Sequence, residues 1–95
     1  MVERRNTGLF PEVRAKLHPA WLRRLKGEWM SANEHYLGKA LQMPVLAIDV
    51  GPEARLGQWQ PATRTLSISE LHILRAPWHE VRATLRHEMA HQYVG

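Results

Sequence analysis

The chain contains no cysteine. That excludes a disulfide scaffold and any thiolate zinc site, so a bound metal has only histidine and carboxylate side chains to ligate it. A cysteine-free composition also fits a reducing compartment. No apolar run approaches the roughly 20 residues of a membrane span. The opening Met1-Val2-Glu3-Arg4-Arg5 lacks the apolar segment of a secretory signal. The chain therefore reads as intracellular, cytoplasmic or held at the nucleoid or nucleus, with no membrane partner. P-loop, dinucleotide-binding and nucleophile-elbow motifs are missing, as are internal repeats and low-complexity tracts.

What is present suits one small domain. The 95 residues are 44% hydrophobic and 23% charged, ordinary values for a globular chain able to bury a modest core. The net charge of +4 is unevenly placed: residues 1–39 carry eight Lys/Arg against four Asp/Glu, whereas residues 40–95 carry five of each. A basic segment thus precedes a neutral one. Arg23, Arg24 and Lys26, with Arg4, Arg5, Arg14 and Lys16, form either a solvated helix surface or a patch that contacts phosphates.

Residues 1–18 hold Gly8 and Pro11 among charges and show little periodicity beyond a short helical stretch at 12–17, so they are expected to form a flexible basic lead-in. From Pro19 to Leu41 the pattern turns helical. Leu22, Leu25, Trp29, Ala32, Tyr36 and Ala40 recur at spacings of three and four, Pro19 suits the first turn, and Pro44 bars continuation. Val45-Leu46-Ala47-Ile48-Asp49-Val50 reads as a buried strand closed by Gly51-Pro52. Two shorter strands follow at 55–60 and 65–69, joined by the turn Pro61-Ala62-Thr63-Arg64, and in the second Leu66 and Ile68 alternate with polar residues. Short connections predict an antiparallel meander. Pro77 and Trp78 open a final helix with Glu80 in its first turn, and Val81, Leu85, Met89 and Gln92 mark its core face. The expected fold class is α+β: an N-terminal helix, a three-stranded antiparallel meander and a C-terminal helix.

That last helix carries His87-Glu88-Met89-Ala90-His91, an H-E-x-x-H. Residues four apart share a helix face, so both imidazoles can reach one metal ion while Glu88 sits beside them. Two neutral nitrogen ligands and a carboxylate near activated water are what zinc-dependent hydrolysis requires. The bland alternative is a polar helix surface with two incidental histidines. A catalytic zinc usually takes a third protein ligand, and no candidate stands out. His79 and Glu80 lie about two turns upstream, some ~10–12 Å along the axis; His72 would have to fold back over the site; His18 and His35 belong to or precede the first helix. The four tryptophans are most simply core or interface residues, with Trp59 and Trp78 flanking the presumed cleft.

Leu56-Gly57-Gln58-Trp59, the turn Pro61-Ala62-Thr63-Arg64 and Thr65-Leu66-Ser67-Ile68-Ser69 are followed by a Pro-opened helix. That helix reads Glu80-Val81-x-x-Thr84-Leu85-x-His87-Glu88-Met89-x-His91, preceded upstream by a helix with Asn33 and Tyr36. Together these resemble the SprT-like zinc metalloprotease family, whose eukaryotic Spartan members digest proteins crosslinked to DNA. The resemblance spans about residues 19–94. It implies a zincin-like domain with Zn2+ as cofactor, His87 and His91 as ligands and Glu88 as catalytic base. It further implies protein or peptide substrates, DNA as a partner, and an edge strand that presents substrate backbone by strand addition. Family members place a third ligand histidine downstream, in an H-G-x-x-[FW]-like segment, and the 95 residues stop before one. The expectation is therefore a lead-in at 1–18 and a metalloprotease domain at 19–95 that is incomplete at its C-terminus. The competing expectation is a basic nucleic-acid-binding or scaffold fragment whose H-E-x-x-H is vestigial and inactive.

Overall fold

A computed structural model describes residues 9–95. Three helices and three strands follow in the order α1 (Pro11–Leu37), β1 (Val45–Asp49), β2 (Gly57–Gln60), β3 (Thr65–Ser69), α2 (Glu70–Arg75) and α3 (Trp78–Val94). The α+β class is as expected, but the first helix begins well before Pro19. Pro11 occupies the first turn, where its missing N–H costs nothing, and Pro19 lies inside the helix. Residues 11–18 are thus the first two turns of α1 rather than a lead-in; residues 1–8 fall outside the described part. An interior proline is tolerated because the turns before it are tied down by Arg14 and His18, both bonded to Glu70 at the start of α2.

Helix α1 also ends earlier than expected. Gly38 caps it in the left-handed conformation (φ 58°), and Lys39 follows with φ 64°. Buried Asn33 closes this reversal: its carbonyl oxygen accepts from Gly38 and Lys39, and its amide side chain pairs with both the N–H and the C=O of Leu41 at 3.0 Å. The expected apolar stripe holds for Leu25, Trp29 and Ala32, while Tyr36 turns outward beneath the Arg86 guanidinium.

The sheet is mixed, not an antiparallel meander. Its strand order is β1-β3-β2, with β3 parallel to β1 and antiparallel to β2. The reason lies in β3, whose Leu66 and Ile68 are fully buried and which pairs along both edges. The near-continuous apolar run of β1, read as a buried strand, instead forms a half-buried edge with Val45 exposed. Residues 50–56 give the chain enough length to pass over the position that β3 later fills. Register places Leu46, Leu66 and Trp59 in one row, and Ile48, Ile68 and Gly57 in the next. Those rows face the helices. Helix α1 covers β1, α3 covers β2 and β3, and the two helices pack on each other. Leu25, Trp29, Leu66, Ile68, Val81, Leu85 and Met89 form the core between the layers.

No sequence expectation covered α2. Ser69 ends β3 and caps α2 at once, its hydroxyl accepting from the His72 N–H at 3.2 Å. Pro77 then opens α3, as the sequence indicates. None of the described helices is long and apolar enough to cross a membrane.

Candidate metal centre and its cleft

Helix α3 divides its faces as an active-site helix must. Val81, Leu85 and Met89 are buried against the core, and Gln92 fixes the far end by accepting from Trp29 Nε1 and donating to the Gln42 carbonyl. Two residues on from Leu85 and Met89 of this anchored stripe, His87 and His91 emerge into solvent, their ring centroids 4.9 Å apart and edge to face. Glu88 lies between the two faces. Its side chain is almost enclosed, at 8% exposure, and is turned toward β2. The three residues proposed from the pentapeptide therefore converge on one place.

That place is a cleft of about 560 Å³, walled on one side by His87, Glu88 and His91 and on the other by Gly57, Gln58 and Trp59 of β2. A second groove of about 410 Å³ continues past Gly57 and Glu88 along Leu56, Ala83 and Thr84. β2 is an edge strand. The Ser69 N–H donates to the Leu56 carbonyl at 2.9 Å, so antiparallel alternation turns the backbone of Leu56, Gln58 and Gln60 toward β3. The N–H and C=O groups of Gly57 and Trp59 are left on the free edge. The Trp59 indole N–H is buried with no acceptor among the described residues.

Among the described residues no group of three His, Asp or Glu side chains is placed to hold a metal ion. Three of the four histidines weighed as third ligands are engaged elsewhere, and the fourth, exposed His79, stands about two turns up α3 from His87. His18 bonds Glu70, His35 bonds the Ser31 carbonyl one turn back, and buried His72 lies 2.8 Å from the Thr84 hydroxyl. Since Thr84 Oγ1 donates to the Glu80 carbonyl, it accepts from His72 Nε2–H.

The three basic residues proposed for nucleic acid take two different positions along α1. Arg23 and Lys26 border a shallow groove with Met43 and Pro44. Arg24 instead stacks on Trp78, its guanidinium carbon 3.9 Å from the ring centroid, and joins α1 to α3.

The largest electrostatic feature was not foreseen. Glu70 is 1% exposed and accepts from Arg14 Nε at 2.8 Å, Arg14 Nη2 at 3.0 Å, His18 Nε2 at 2.8 Å and the Leu9 N–H. The Arg14 hydrogen bonds hold its carboxyl below the ordinary glutamate range against the opposing effect of burial, and Glu70 in turn raises the Arg14 guanidinium. Gly57 was also overlooked, although a lone glycine in a strand pattern is a known sign of close backbone approach. Compared with known proteins, no family model, curated protein or solved structure matches this chain.

Proposed function

We propose that the chain carries the zinc-binding pair and the general base of a SprT-like metallopeptidase acting on extended protein segments. One observation carries this reading: His87, Glu88 and His91 face a cleft whose opposite wall is the free edge of β2. The donors suit the metal. Two imidazoles one helical turn apart, both exposed and both free of other hydrogen bonds among the described residues, supply two of the nitrogen ligands a tetrahedral zinc takes. Zinc, when bound, supplies Lewis acidity that polarises a carbonyl and acidifies water.

The chain's own groups account for the rest. An extended segment laid along β2 would hydrogen-bond to the outward backbone of Gly57 and Trp59, fixing a peptide bond opposite α3. Glu88 would accept the proton of the attacking water on a carboxylate oxygen and deliver it to the departing amine nitrogen. The near-enclosure of Glu88 limits the directions from which water reaches it.

Zinc titration by calorimetry, with hydrolysis of an unfolded protein measured alongside, tests the reading. One zinc per chain is expected, lost in His87→Ala/His91→Ala. Glu88→Gln should keep the zinc and lose about 10²–10⁴-fold in rate. Zinc uptake indifferent to both histidines would end the proposal. Salt-sensitive DNA binding untouched by chelator, with no zinc uptake, would instead assign a nucleic-acid module.

A further inference from the structure

We infer that Gly57 is the positioning residue for Glu88, a role that rests on Glu88 being the general base. A β-carbon at position 57 would lie 2.8 Å from Thr84 Cγ2, 2.9 Å from Glu88 Cγ and 3.3 Å from Glu88 Oε2. Contacts that short do not survive, so one neighbour must give way. φ is not positive at this position, so backbone strain is not the reason for glycine; space is.

Which neighbour yields is decided by what holds each. Thr84 is held twice, donating from Oγ1 to the Glu80 carbonyl and accepting from buried His72 Nε2. Rotating its methyl away would break one or both bonds and orphan an imidazole N–H that is almost out of solvent. Moving β2 would pull Ile68 and Leu66 with it, through the paired register and into the core. The Glu88 carboxylate has no hydrogen bond or ion pair among the described residues, and its flexible stem leads into the open cleft. Glu88 therefore yields. The bare backbone of Gly57 acts as the stop against which its carboxylate rests.

The test is a structure of Gly57→Ala by crystallography or NMR, with zinc affinity and steady-state kinetics on the same protein. The Glu88 carboxylate should leave its place while the His72–Thr84 hydrogen bond persists. Zinc affinity should match wild type, kcat should fall about a hundredfold, the penalty of roughly 1 Å of misplacement, and KM should hold. Gly57→Ala/Glu88→Gln should be no slower than Glu88→Gln alone, since the second change removes what the first displaces. Glu88 found in its original place, with Thr84 or β2 shifted, overturns the inference, as does an undiminished kcat. Should Gly57→Ala not fold, Gly57→Ala/Thr84→Ser, which deletes the nearest methyl and keeps the hydroxyl, is judged by the same Glu88 position. A wild type that hydrolyses nothing would sink the peptidase reading, and the Glu88 displacement would then decide Gly57's role by itself.

Discussion

Glu70 binds the start of α1 to the start of α2 across more than fifty residues of sequence. Its folded carboxyl titrates below the unfolded value of about 4.3, chiefly through Arg14. A lowered folded pKa contributes stability that is fully present above the unfolded pKa and is lost as pH falls through the folded one. Glu70→Gln should therefore destabilise the protein by about 2 kcal/mol at neutral pH, the scale of hydrogen bonds to a charged group. The gap to wild type should close as pH falls through the lowered folded pKa of Glu70, below which both side chains are neutral. Urea unfolding across a series of pH values from neutral downward measures it, and a gap independent of pH would refute the assignment. None of this was legible beforehand. Nothing local to Glu70 marks Arg14 or His18 as partners, since their spacing appears only once α1 is known to start at Pro11. His87, Glu88 and His91 were legible because helix geometry alone brings i and i+4 together.

Pro19 shows how a local rule misplaces a helix start. Proline favours first turns, so the apolar stripe beginning at Leu22 drew the boundary to it, whereas the helix passes straight through. Inside a helix it removes a donor and crowds the preceding turn, so Pro19→Ala should raise stability by roughly 1–3 kcal/mol. A thermal midpoint no higher than wild type would mean that α1 is already broken at that point. The order of strands was hidden for a different reason. Alternation in β3 and the turn at 61–64 define a hairpin, and that hairpin is present. Nothing in the run Val45–Val50 says which edge of the hairpin it joins; pairing with β3 covers Leu46 and Ile48 beside Leu66 and Ile68, which pairing with β2 would not. Helix α3 needed no such long-range knowledge, because Pro77 and a strict apolar period bound it locally.

The two-layer core is complete without the histidine pair, which stands outside it. A chelator should accordingly leave the far-UV circular dichroism and thermal midpoint of the metal-free protein unchanged. This contrasts with small zinc domains that unfold without their metal. Zinc bound to the folded chain should still stabilise it by mass action, about 2.7 kcal/mol at a hundredfold excess over Kd. His87→Ala/His91→Ala should abolish that increment while keeping the metal-free midpoint. Loss of structure on chelation would show that the pair does more than ligate.

The central position of β3 also has a consequence for synthesis. It is made after the other two described strands, and both depend on it for their hydrogen bonds. While the nascent chain lengthens, Val45–Val50 is a proline-free hexapeptide, apolar but for Asp49, with no partner until β3 has left the ribosome, the kind of segment that nucleates intermolecular association. Pro44 and Pro52 stand at its two ends, where residues that cannot extend a ladder limit how far a foreign strand can pair. Their replacement should matter more for soluble yield during expression than for the stability of the finished fold.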